Sequence, residues 1–495
     1  MGQAKKNYPY QRRQPELTPC YKIVQEELST FIQDRELEER PLPQYVIDEF
    51  KAYLKCGILA YGFLRLTCGQ CNEEKITAFS CKKRGFCPGC IGKRMAEAAA
   101  HLVDNVLPEV PYRQFVLTFP FPMRYWLNTN KALFSTVHKI ITDEIQEFYT
   151  NITGVPDSRE PKAGIVSMTQ RFGSALNLNP HLHILVTDGV HYRPEDPLFR
   201  KAKGIDDQLV GGLLEVITTR IIGVLQEKGY LDKYGDLVDN PLLDEFFQKS
   251  DAIHMATQAS LSGRIAFGPN AGKKVRRLGG GFGFYEEIPF AKSRLCFAMN
   301  GFTIHAARSI NTQNRKGLEQ LISYISRGPF SNERLTLVAG RQVKVGLKRP
   351  FSDGSTHLLM TYSEFMEKLA CLIPPPKTHL IRWSGSLAPN SKYRKKIILN
   401  PDARKGFDFD NDNVPNYSWA KLLARVFGVD VLKCECGGTF SPKGALKDPA
   451  EIQRYLKHVG LAPSAPARAP PRSTVHELEF EQFEPHPEEI VIQID

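Results

Sequence analysis

Three groups of residues in this 495-residue chain have the types and spacing of reactive sites. The first lies in "TCGQCNEEKITAFSCKKRGFCPGCIGKR". Cys68 and Cys71 form one C-x2-C knuckle, Cys87 and Cys90 a second, and 15 residues separate them. Each knuckle brings two thiolates together, and two knuckles make a tetrahedral zinc site. A module this small cannot fold on a hydrophobic core of its own, so the metal would supply its stability. Cys81 is a fifth candidate that could replace one ligand. The second group is "NPHLHILVTDGV", with His181 and His183 two positions apart. On a strand both imidazoles leave one face, while Leu182 and Ile184 enter the other. Such a pair is either half of a divalent-metal site or two ordinary half-buried histidines. The third is Tyr324 in "GLEQLISYISRGPFSNERL", beside Arg327 and Arg334. A tyrosine hydroxyl, with an ordinary pKa of about 10, attacks a phosphodiester if it is oriented and the phosphate is polarised. On an amphipathic helix the same residue can simply pack a core.

Charge and cysteine usage say where such chemistry would take place. The net charge is +11. Residues 462–495 hold seven acidic and two basic side chains, so the rest of the chain carries +16. A body that basic suits a polyanion, most simply nucleic acid, although a merely soluble basic protein has the same balance. Lys82, Lys83, Arg84, Lys93 and Arg94 flank the cysteines and form either a DNA contact or a solvated basic face. Residues 264–294 carry seven basic and two acidic residues. Arg264, Lys273, Lys274, Arg276 and Arg277 make that stretch a candidate phosphate-tracking loop, with Phe267, Phe282, Phe284 and Tyr285 available to stack on bases or to pack inside. The cysteines number 11, five of them within residues 68–90, and no secretion signal precedes them. That favours a reducing cytoplasm and a metal site over a disulfide framework. No run of about 18 purely apolar residues is present, so no membrane span is expected.

The elements that must position these groups alternate in type. Residues 15–55 read as helical, with Val24, Leu28, Phe31 and Ile32 near helical spacing. "QFVLTF" reads as a strand, "ALFSTVHKIITDEIQEFY" as a helix, and "AGIVSMTQRF" and "HLHILVTDG" as adjacent strands joined by "GSALNLNP". "RLCFAMNGFTIHAA" is strand-like and "RKGLEQLISYISR" helical. The expectation is an α+β fold with a central antiparallel sheet and helices packed on it. The divisions are an N-terminal helical segment (1–55), a four-cysteine zinc-binding domain (56–100), a catalytic domain (105–400), a small helical C-terminal module (415–460) and a disordered acidic tail (462–495).

"QRFGSALNLNPHLHILVTDGV" resembles the histidine–hydrophobic–histidine (HUH) motif of rolling-circle transposases of the IS91 insertion-sequence family and its common-region relatives. "FSCKKRGFCPGCIGKRMAEAAAHL" is similar to that family's zinc-binding domain, and "LEQLISYISRGPFSNERL" resembles its nucleophile segment. "IRWSGSLAPNSKYR" and "WAKLLARVFGVDVLKCECGG" resemble two further blocks, and the blocks follow family order from about residue 55 to 460. The resemblance implies that His181 and His183 bind Mg2+ or Mn2+. It implies that Tyr324 attacks single-stranded DNA, or the hairpin ends of a mobile element, to give a 5′-phosphotyrosine, and that the protein works on the nucleoid of a bacterial cytoplasm. His305 in "GFTIHAA" is the candidate third metal ligand, with Gln170 and Gln320 as rivals. A plasmid replication initiator or relaxase would share this chemistry, and a non-catalytic zinc-dependent regulator would need neither the histidines nor Tyr324.

Two features depart from the family pattern. Founding members carry two tyrosines four positions apart, but position 328 is Gly, so Tyr324 would act sequentially or in a homodimer. "KCECGG" places Cys434 and Cys436 in a C-x-C spacing, which offers two thiolates only, and no second zinc is expected from it.

Overall fold

A computed structural model describes residues 13–235, 252–278, 293–351, 353–400 and 432–472. At its centre is a seven-stranded antiparallel sheet. Its strands are β1 (Tyr112–Thr118), β2 (Gly164–Phe172), β3 (Leu178–Thr187), β4 (Cys296–Met299), β5 (Phe302–His305), β6 (Ser309–Ile310) and β7 (Ile381–Gly385). The spatial order is β7-β2-β3-β1-β5-β4, with β6 also pairing β1. The helix expected after "QFVLTF" runs Lys131–Thr153; the Asn130 side chain accepts from Leu133 N–H at its start, and Gly154 in a left-handed conformation (φ 60°) stops it.

Alternation along the strands gives the sheet two different faces. Phe115, Leu117, Leu182, Ile184 and Ile304 point into a core shared with the helices Lys131–Thr153 and Asp207–Glu227. Val166, Met168 and Leu185 point the other way, against the helices Pro88–His101 and Arg315–Ile325. By length and mean hydropathy the helix Asp207–Glu227 could cross a membrane. It is instead amphipathic: Val210, Leu213, Leu214, Ile217, Ile221 and Leu225 are buried in the core, while Arg220 pairs with Glu144.

One buried ion pair braces three strand ends. The Arg113 guanidinium meets both Asp188 oxygens at 3.0 and 3.1 Å and donates to Ala306 O, and the Tyr149 hydroxyl donates to Asp188 at 2.9 Å. Removing one partner of such a pair strands a buried charge, at a cost of about 3–5 kcal/mol. Asp188→Ala is therefore expected to lower the thermal midpoint by several degrees, and a change under one degree would show that the brace adds no net stability.

A second sheet of four strands (Leu335–Val338, Gln342–Gly346, His357–Thr361, Arg276–Leu278) packs with helices Pro19–Leu37, Ala252–Leu261 and Tyr362–Leu372 around a separate core. The expected helical C-terminal module is corrected here. Residues Phe440–Leu446 form a strand that pairs antiparallel with Phe63–Cys68, whose other edge carries Glu74–Ala78. The following helix, Pro449–His458, closes a small core with Leu59, Phe63, Ile452 and Leu456. Pairing with a strand nearly four hundred positions away is a tertiary effect that local periodicity does not report. The Pro-rich stretch expected to be disordered lies along the first helix: Ser29 donates to Ala469 O at 2.8 Å, and Arg472 pairs with Glu27 at 2.8 Å. The acidic residues beyond it, the aromatics Phe282, Phe284 and Tyr285, and the block 415–431 lie outside the described residues.

Candidate active site and cysteine clusters

His181 and His183 stand on the same face of β3, and Leu182 between them is fully buried on the other. Across β2 they oppose Gln170 and Met168; across β1 they oppose Thr118 and Val116. Their rings lie 5.0 Å apart between centroids. The Nδ1–H of His181 donates to Asn179 O at 2.7 Å, which leaves Nε2 as a bare lone pair. The Gln114 carboxamide nitrogen lies 2.8 Å from His183 Nδ1; a 180° turn of that amide presents its oxygen instead and frees Nε2 in the same way. Burial holds His183 neutral, with its pKa pushed down to about 3, and the nearby His181 and Arg327 act in the same direction. Burial also lowers His181, partly opposed by the Asn179 carbonyl. Neutral imidazoles with their second nitrogen tied down are the form that ligates a metal.

Tyr324 sits beside this pair. Its helix, Arg315–Ile325, begins at Asn314, whose side chain accepts from Gly317 N–H, and buries Leu318, Leu321, Ile322 and Ile325 along one stripe. Tyr324 lies off the stripe and is 49% exposed, which removes core packing as its role. Its ring centroid is 6.4 Å from that of His183, nearly perpendicular, and the Arg327 guanidinium carbon lies 4.5 Å over it. Gln170 joins the two elements. Its Nε2 donates to Ile325 O at 2.7 Å and to Tyr324 O at 3.4 Å, satisfying carbonyls at the helix C-terminus that have no partner within the helix. A residue opposite His181 thus ties down the backbone of Tyr324. Its position as the cross-strand neighbour of His181 follows from the hairpin register; its reach to the helix was not visible in the sequence.

The other expected residues divide. His305 faces Val116 across the β1–β5 pair, so it shares the histidine face but stands two strands from His183. Among the described residues it closes no ligand cluster with the pair. Gln320 is exposed on its helix. Arg334 donates to the carbonyls of Gly346, Ser174 and Pro329, which occupies it structurally. Arg264, Lys273, Lys274 and Arg276 are exposed in and before the edge strand of the second sheet, away from the histidine sheet in the topology; Arg277 belongs to the same strand. Phe267 is buried beneath the Arg35 guanidinium at 4.0 Å and is no base platform. Missed in the sequence was Arg124, at the start of helix Phe121–Thr129, whose positive charge reaches His181. A cleft beside it is lined by apolar residues such as Ile91, Met168, Phe172 and Leu380, with Arg84, Arg94, Gln170 and Arg327 among them.

Gly328 stands at the position of the second tyrosine. A Cβ there would stand 3.1 Å from the Ile91 side chain on the helix Pro88–His101. Gly328→Tyr is expected to cost about 1–3 kcal/mol through overpacking, seen as a lower melting midpoint. A variant as stable as the parent would show that Ile91 gives way freely.

The expected four-cysteine site of Cys68, Cys71, Cys87 and Cys90 is not assembled. Cys68–Cys71 sits at the tip of a hairpin, while Cys87 caps the helix Pro88–His101, and each knuckle has other neighbours. Cys87 and Cys90 converge with Cys56 and Cys81, their four sulfurs mutually within 4.8 Å. The nearest separations are Cys81–Cys90 3.3 Å, Cys56–Cys90 3.5 Å and Cys56–Cys87 3.7 Å. A zinc tetrahedron with bonds of 2.3 Å has sulfur–sulfur edges of about 3.8 Å, so the set fits the ion. Phe50, Tyr53 and Phe86 pack around it. Cys81, the fifth candidate, is thus a member, and Cys56 was not foreseen because it stands alone at the end of the helix Gln44–Lys55.

Comparison with known proteins agrees with this arrangement. Residues 23–119, which contain the whole cluster, match the family described as "Transposase zinc-binding domain", and residues 164–395, which contain the histidines and Tyr324, match the family described as "Putative transposase". Both matched families are transposase families, and the zinc-binding one lies N-terminal to the other. Over 155 residues the chain is 28% identical to the transposase for insertion sequence element IS801 of Pseudomonas savastanoi pv. phaseolicola, an alignment covering 31% of this chain and 36% of that protein. Over these segments the chain is similar to transposases of insertion sequences, and it spans about a third of the length of the curated relative it matches. No solved structure matches it.

Proposed function

We propose that this protein cuts and rejoins single-stranded DNA at the ends of a mobile element through a 5′-phosphotyrosine on Tyr324. The observation that carries the reading is the exposed Tyr324 ring, 6.4 Å from that of His183, on a helix end held by Gln170. The Tyr324 oxygen attacks the phosphorus and loses its proton to water. The bond from phosphorus to the 3′ oxygen breaks, and that oxygen leaves as a 3′ hydroxyl. Reversal by the same or another 3′ hydroxyl rejoins a strand without ATP, because the phosphotyrosine ester preserves the bond. His181 and His183 would hold Mg2+ or Mn2+, which polarises the phosphate when bound. Gln114 and Asn179 orient the two rings, and Arg327 and Arg124 place positive charge beside them. Gln170, opposite His181, is the residue best placed to serve as a further oxygen ligand.

The similarity to transposases supports a DNA substrate, and Arg84, Arg94 and Arg327 supply positive charge in the cleft next to the Tyr324 helix end. The test is incubation of the full chain with labelled single-stranded oligonucleotides bearing the element's ends and Mg2+. A denaturation-resistant protein–DNA adduct that disappears with EDTA is expected. Absence of an adduct on every end sequence, with Mg2+ or Mn2+, overturns the reading.

A further inference from the structure

We infer that a second zinc ion binds the chain, held by Cys68, Cys71, Cys434 and Cys436, and that it fastens the C-terminal strand to the N-terminal module. The four sulfurs lie mutually within 4.8 Å. Cys68 and Cys436 approach to 3.6 Å, and Cys71 and Cys434 to 3.5 Å, though each pair is more than 360 positions apart in sequence. These separations are near the edge of a zinc–thiolate tetrahedron, about 3.8 Å, and far longer than a disulfide bond of about 2.05 Å.

The backbone on both sides is shaped around the sulfurs. On the N-terminal side Cys68 ends the strand Phe63–Cys68, the Gln70 N–H points to its sulfur at 3.4 Å, and Asn72 in a left-handed conformation (φ 61°) turns the chain back into Glu74–Ala78. On the C-terminal side Gly437 takes φ 88°, and the Cys434 N–H donates to Gly438 O at 2.8 Å. This tight loop is what lets a C-x-C pair present both thiols to one point. Gly438 has no substitute: a Cβ there would stand 2.7 Å from the Cys68 sulfur. The Glu73 carboxylate, 3.4 Å from Cys434 Sγ, accepts from the thiol and would turn away once that thiol ionises on the metal.

The local core is too small to explain the convergence. Among the described residues Cys68, Cys434 and Phe440 are its buried members, with Leu66 and Leu432 packed alongside. Such a core cannot by itself order two loops, and in small modules of this kind the metal supplies the missing stability. The zinc-binding family match ends at residue 119, so it does not reach Cys434 or Cys436. The inference is independent of whether Tyr324 cuts DNA, because it concerns metal content alone.

Zinc is to be counted by elemental mass spectrometry on the full chain, purified under reducing conditions without added metal chelator. Two zinc ions per chain are expected, and X-ray absorption at the zinc edge should show a shell of four sulfurs. One zinc per chain, or a disulfide between Cys68 and Cys436 in nonreduced peptide maps, overturns the inference. In Cys434→Ser/Cys436→Ser the count should fall to one, with Cys56, Cys81, Cys87 and Cys90 still protected from alkylation. That protection reports that the first cluster remains folded. A double variant that keeps two zinc ions overturns the inference as well.

Discussion

Tyr324→Phe should remove the covalent protein–DNA adduct completely and lower strand cleavage by at least about 10⁴-fold, the scale expected when a sole nucleophile is deleted. The substitution deletes one hydroxyl on a half-exposed ring. The stripe of Leu318, Leu321, Ile322 and Ile325 that holds the helix is untouched, and so is the Gln170 clamp, which uses backbone carbonyls. The variant should therefore melt with the parent and bind the same oligonucleotides. Residual adduct of wild-type yield would assign the nucleophile to another residue. Position 328 holds Gly, so it supplies no second nucleophile. A single nucleophile must then make successive transfers or work with that of a second copy, and the order of labelled-strand release distinguishes the two.

Cys87→Ser should have the larger effect on the protein itself. Structural zinc contributes of order 10 kcal/mol or more to small modules at neutral pH, and Cys87 is both a member of the first cluster and the residue at the start of helix Pro88–His101. That helix packs against the Tyr324 helix through the shared core of Ala99, Leu102, Leu318 and Leu321. Loss of the metal is thus expected to reach the active site. The expected result is loss of one zinc ion, early tryptic cleavage between residues 56 and 101, and a fall in adduct formation of at least about tenfold. Unchanged proteolysis and unchanged adduct would mean that the cluster is incidental to both.

Much of the central sheet was legible because its information is local. Alternation in "AGIVSMTQRF" and "HLHILVTDG", with a turn between, determines a hairpin, and the hairpin puts His181 and His183 on one face opposite Gln170 and Met168. The helix under Tyr324 announces itself through apolar residues three and four apart. What was not legible depends on contacts between distant segments. Cys56 carries no motif, and C-x-C at 434–436 gives no reason to look back to residue 68. The third-ligand expectation at His305 depends on such contacts too: its strand lies in the same sheet, two strands from His183.

The pairing of Phe63–Cys68 with Phe440–Leu446 has a consequence for biosynthesis. The first of these strands leaves the ribosome early, and its partner follows only after the 371 intervening residues have been made. Until then one edge of the early hairpin is open and two thiols at its tip lack their counterparts, a state prone to mispairing. A copy of the gene truncated before Cys434 would stay in that state permanently.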